Sequence, residues 1–163
     1  MSFVIGASLA LAVGGLATWV GFDRDRAFYP AVMIVIASYY VLFAVMSFAA
    51  TDSASSLLTE CAILVAFSLA SIVGFKRTLW LVVAALASHA LLDCVHPQLI
   101  ANPGVPPWWP DFCLAYDLVA AGYLAALLVR DHVRYSRRRG HEGARTDPGL
   151  GRREPVDPER ASG

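Results

Sequence analysis

Apolar residues come in five long runs along the chain, each cut off by a short polar break: Ser2 to Gly21, Phe28 to Ala50, Ala54 to Phe75, Thr78 to Val95 or Pro97, and Phe112 to Val129. A helix needs roughly 20 mainly apolar residues to cross the hydrocarbon core of a bilayer. The pattern therefore predicts an all-α transmembrane bundle of five spanning helices occupying residues 1–130. Pro30 falls in the first turn of the second run, where a missing N–H costs least. The first run has no positive start and is longer than a secretory h-region, so it reads as a mature helix.

Beyond Arg130 the apolar character stops, and residues 131–163 read as a disordered basic tail too poor in apolar groups to build a core. Composition agrees with membrane embedding: 57% of the 163 residues are hydrophobic and the mean hydropathy is +0.55, well outside the range of a soluble domain.

Charge adds the orientation. The formal net charge is zero, yet the 13 Lys and Arg residues are unevenly placed. Arg24 and Arg26 follow the first run, Lys76 and Arg77 the third, and the rest lie at or beyond Arg130. These are alternate breaks, and the intervening ones carry no Lys or Arg. Because cytoplasmic loops collect basic residues, five spans with the N-terminus outside and the C-terminus cytoplasmic put every one of them on the same side. The interface-seeking Trp19, Trp80, Trp108 and Trp109 fall near the predicted ends. Nothing in the tail supplies a folded element for reading nucleic acid, so the expected partner is membrane lipid.

The spans keep five ionisable residues that hydrocarbon disfavours: Glu60, His89, Asp93, His96 and Asp117. An ionised carboxylate at mid-membrane costs about 3 kcal/mol on insertion scales, so such residues usually serve a purpose. His89, Asp93 and His96 stand at i, i+4 and i+7, within about 60° of one another on one helix face. Asp117 meets them if the fourth and fifth helices are antiparallel neighbours, and Glu60 joins if the third faces the same way.

No Lys or Arg lies inside a span to neutralise the acids. Compensation has to come from protons, from protonated histidine or from a cation. Two histidines with carboxylate oxygens suit zinc or another divalent ion, which gives His89, Asp93, His96 and Asp117 as candidate ligands and Glu60 as a general base for metal-assisted hydrolysis. A proton- or ion-coupled carrier, and an assembly subunit whose cluster is a structural hydrogen-bond network, are the competing readings.

Other features carry two readings each. The Gly6, Ala10, Gly14 stripe allows close helix approach, either within one chain or in a homo-oligomer. Cys61, Cys94 and Cys113 read as buried small hydrophobes, with a disulfide between two of them open. Asp23-Arg-Asp-Arg26 reads as an interfacial ion-pair cluster, and Tyr39 and Tyr40 place hydroxyls at mid-membrane, where one can point into the cluster. The stiff loop Asn102-Pro-Gly-Val-Pro-Pro-Trp-Trp-Pro-Asp111 reads as an interface anchor or a lid.

Three segments, Asp25-Arg-Ala-Phe-Tyr-Pro30, His89-Ala-Leu-Leu-Asp-Cys-Val-His96 and Asn102 through Cys113, resemble a group of small multi-pass bacterial membrane proteins that brings no known activity with it. The resemblance implies a bacterial inner membrane. The chain is more loosely similar to intramembrane metal hydrolases of the alkaline ceramidase and adiponectin-receptor type, in which His and Asp residues on membrane helices hold zinc. It departs from them in having five apparent helices rather than seven and two membrane histidines rather than three.

Overall fold

The computed structural model describes residues 1–51 and 54–143, with side chains described for residues 1–48 and 54–130. Every regular element among them is helical: α1 (Ser2–Val20), a single 3-10 turn (Phe22–Arg24), α2 (Phe28–Thr51), α3 (Ala54–Lys76), α4 (Trp80–Leu99) and α5 (Trp109–Gly143). All five α-helices contain a stretch long and apolar enough to cross a membrane.

Residues 1–128 form one compact unit, and a second begins at Val129. Of the second, the backbone is helical through Gly143. The tail expected from residue 131 onward thus begins within α5, and its residues 144–163 lie outside the described residues.

Local chemistry explains where the helices stop and start. Gly21 ends α1 with φ 91° and returns its N–H to the Ala17 carbonyl at 2.8 Å, a left-handed cap that a residue with a Cβ adopts at a cost. Arg26 donates to the carbonyls of Phe75 and Arg77 at 3.1 and 3.4 Å. It thereby caps the C-terminal carbonyls of α3, so Arg26 anchors a helix end through backbone acceptors.

Two of the boundaries that differ from the sequence expectation lie at prolines. Helix α4 continues past Pro97 to Leu99, because so near the end the ring removes only the bond to the Asp93 carbonyl. Helix α5 begins at Trp109 instead of Phe112, since Pro110 and Asp111 suit a first turn.

Cross-helix contacts fix the topology. Asn102 bonds the Tyr40 carbonyl at 3.0 Å and Ser56 bonds that of Ala101 at 2.5 Å. The end of α4 therefore meets the start of α3 at one face, the N-terminal face, and the loop after α4 reaches the middle of α2. Arg24, Arg26, Lys76 and Arg77 gather at the other, the basic face.

Helices α1 and α5 run parallel. The Phe112 carbonyl occupies the place where a Gly6 Cβ would stand, the Tyr123 ring lies 3.2 Å from a Cβ at Gly14, and Thr18 and Tyr123 share a hydroxyl hydrogen bond of 2.7 Å. The small-residue stripe Gly6, Ala10 and Gly14 is buried against α5 of the same chain. Packing within one chain, one of the two readings of that stripe, is thus present.

The basic-face half holds an apolar core that includes Tyr29, Met33, Val82, Leu86 and Leu124. The half toward the N-terminal face is packed differently: buried there are Tyr40, Glu60, His89, Asp93, His96, Asn102 and Asp117.

Candidate metal centre

Helix α4 supplies three of the buried polar side chains, and its i, i+4, i+7 spacing aims all three inward: His89, Asp93 and His96 are 0, 1 and 2% exposed. Asp117 on α5 and Glu60 on α3 complete the set at 0 and 1%. The five do not converge on one point. They divide into a deep group and a shallow group.

In the deep group, His89 Nδ1 lies 2.7 Å from Asp117 Oδ2 and 3.5 Å from Asp93 Oδ2. One ligand atom from each of His89, Asp93 and Asp117 lies within 4.8 Å of the other two. His89 sits at the middle of α4, and Phe67 covers its ring edge-on at a centroid distance of 5.0 Å.

In the shallow group, His96 Nε2 pairs with Glu60 Oε1 at 2.8 Å, and Asn102 Nδ2 donates to the same oxygen at 2.9 Å. His96, expected among the metal ligands, is therefore paired with Glu60, the candidate general base. The physical cause is the seventh-residue offset: three residues beyond Asp93 the helix has risen roughly 4.5 Å, to the level of Glu60 on the neighbouring helix.

Tyr40 joins the two groups. Its hydroxyl donates to Asp93 Oδ1 at 2.7 Å, and its ring stacks on His96 at 4.1 Å with an interplanar angle of 28°. The sequence singled out Tyr39 and Tyr40 without choosing between them. Tyr39 instead packs on Trp109 at 5.0 Å. Asn102 was read only as part of a stiff loop, and no local signal sets it apart from other loop asparagines.

Charge accounting limits what the cluster can be. Glu60, Asp93 and Asp117 are three potential anions, and His89 and His96 are neutral or cationic. Electroneutrality then needs three dissociable protons on these five groups, or one proton and a divalent cation. Unpaired buried charge is too costly to persist.

Four atoms of the cluster have no hydrogen-bond partner: Glu60 Oε2, His89 Nε2, Asp93 Oδ2 and Asp117 Oδ1. Buried polar atoms are nearly always paired, so these four are open to a proton, a water or a cation. One imidazole and two carboxylates fit the donor types of a divalent site. Tyr40 holding Asp93 matches the supporting shell that orients such ligands.

Of the two groups, the shallow one borders a cavity through His96, while His89, Asp93 and Asp117 stay enclosed. A cavity of about 640 Å³ at the N-terminal face is lined by His96, Asn102, Pro97, Ile100, Pro103 and Pro106. Toward the basic face, Met33, Val82 and Leu86, each 0% exposed, close the bundle beneath His89.

All three cysteines are free thiols: Cys113 is buried, Cys61 half-buried and Cys94 exposed. Cys94 departs from the buried reading because it follows Asp93 directly on α4, and one residue's rotation of about 100° turns it out of the bundle. Compared with known protein families, with curated proteins and with solved structures, the chain matches none of them.

Proposed function

We propose that this multi-pass membrane protein is a metal-dependent intramembrane hydrolase. His89, Asp93 and Asp117 hold a divalent cation such as zinc, and the basic face is cytoplasmic, so that the centre lies toward the outside of a bacterial inner membrane. The observation that carries the reading is the convergence of these three fully buried donors within 4.8 Å, with unpartnered oxygens on both carboxylates.

A divalent ion held by these residues would supply Lewis-acid chemistry. The chain's own residues do the rest. Tyr40 fixes the orientation of Asp93, and the Glu60–His96 pair, held by Asn102 at the mouth, accepts and returns the proton. The apolar core beneath His89 keeps water out from the far side. That seal also weighs against the carrier reading, since a conduit needs polar groups in both halves. The general likeness to intramembrane metal hydrolases adds a reaction class by analogy only.

Metal content of purified protein after loading with zinc or manganese tests the proposal. The expected result is one ion per chain, lost in His89→Ala, Asp93→Ala and Asp117→Ala and kept in Glu60→Gln. Absence of metal, with the three variants lowering only thermal stability, would leave a structural network. Absence of metal together with pH-driven flux in liposomes would make the protein a carrier.

A further inference from the structure

His89, Asp93 and Asp117 are 0, 1 and 0% exposed, so a cation that they hold has to shed water and pass through protein to reach them. The apolar core toward the basic face offers it no ligand, and hydrocarbon excludes a hydrated ion. A larger cavity of about 1040 Å³ between α1, α2 and α5 is no better a route: its walls include Ile5, Leu9, Val35 and Ile36, and none of the three donors lines it. Imidazole and carboxylate continue from the deep group in one direction, toward the N-terminal face.

The shallow group stands on that path with donor atoms to spare. His96 lines the cavity of about 640 Å³ and its Nε2 lies 2.8 Å from Glu60 Oε1. A nitrogen and an oxygen this close can share one cation at bonds of about 2.0–2.2 Å. The other carboxylate oxygen, Glu60 Oε2, is buried and unpartnered, and Asn102 fixes the carboxylate by donating to Oε1 at 2.9 Å. Five of the ten residues lining the cavity are prolines, which present carbonyl oxygens and no N–H. Among the described residues no Lys or Arg lines it, so the approach is rich in acceptors and free of repulsion for a cation. Tyr40 continues the path inward, with its ring stacked on His96 at 4.1 Å and its hydroxyl 2.7 Å from Asp93 Oδ1.

We propose that Glu60 and His96 form a capture site for a hydrated divalent cation, from which the deep group is loaded past Tyr40. The inference rests on the metal-centre reading above and adds to it a route and a second, weaker site. The shallow pair offers two protein donors against three in the deep group, so an ion held there keeps more of its water and moves on. Capture displaces the one proton shared across the His96–Glu60 hydrogen bond into the cavity water. When the ion passes inward the pair takes a proton back and the deep group gives up two, which leaves the five groups electroneutral.

Stopped-flow mixing of Co²⁺ with metal-free, full-length protein in phosphatidylcholine nanodiscs follows loading through the d–d absorption of the bound ion, and mixing of loaded protein with a chelator follows release. Glu60→Gln and His96→Phe, the second of which keeps a ring against Tyr40, are expected to slow entry at least about tenfold, the lower end of what charged clefts add to association rates. Release is expected to slow by the same factor, with one ion per chain and an unchanged dissociation constant, because a site on the route alters both directions alike. Val105→Lys, a cation on the cavity wall, is expected to slow entry in a way that salt relieves, whereas Val35→Trp in the larger cavity leaves entry unchanged. Entry at the wild-type rate in both Glu60→Gln and His96→Phe would overturn the capture site, as would slowing by Val35→Trp alone or weaker binding through faster release alone. Wild-type protein that never takes up Co²⁺ removes the metal centre and the capture site with it; wild-type protein that loads at a rate shared by the variants removes the capture site and leaves the centre standing.

Discussion

The two halves of the bundle are built from the same helices in the same solvent, yet they bury opposite things. Toward the basic face Met33, Val82 and Leu86 meet as an apolar core; toward the N-terminal face Glu60, His89, Asp93, His96 and Asp117 occupy the equivalent space. Lipid tails are as apolar as leucine, so helices in a membrane associate through packing and interhelical hydrogen bonds. The basic-face half packs mainly through apolar side chains, with the hydroxyls of Tyr29 and Ser71 buried among them. The retention of carboxylates in the other half against a cost of several kcal/mol is the contrast on which the proposed chemistry rests.

Substitutions sharpen this contrast, beginning with the largest effect. Asp117→Ala or His89→Ala should reduce bound metal from one ion per chain to background and abolish turnover, measured by elemental mass spectrometry and product release. In the apolar half, Leu86→Ala should lower stability by about 2–5 kcal/mol in a detergent unfolding titration while bound metal stays stoichiometric. If Leu86→Ala also strips the metal, the halves are not separable.

Tyr40→Phe should weaken metal affinity roughly 10–100-fold, because Asp93 loses the hydroxyl that orients it, with the fold intact by circular dichroism. The smallest effects test packing outside both halves. Gly6→Ala places a methyl against the Phe112 backbone and should cost about 1–3 kcal/mol. Gly15→Ala, which meets nothing within 4 Å, should be neutral or slightly stabilising in the same titration.

The architecture was legible in the sequence because hydrocarbon imposes a length: five runs near twenty apolar residues leave little choice of helix count. Ends at prolines were harder to read, since Pro97 and Pro110 signal a break in isolation and are tolerated in the last or first turn. The inward face of α4 followed from the spacing of His89, Asp93 and His96. Their division into deep and shallow groups did not, because it depends on the level at which Glu60 crosses α4 and on the Tyr40 ring filling the space between. The burial of the Gly6 stripe against Phe112 and Tyr123 likewise needed the parallel packing of α1 on α5, which no local pattern encodes.

X-ray absorption at the zinc edge of the loaded, purified protein tests the central claim most directly. The account predicts a shell of nitrogen and oxygen at about 2.0–2.2 Å with the scattering signature of a single imidazole, collapsing in Asp93→Ala. A sulfur shell at about 2.3 Å, which would bring in a cysteine such as Cys113, or two imidazoles, which would bring in His96, would contradict it.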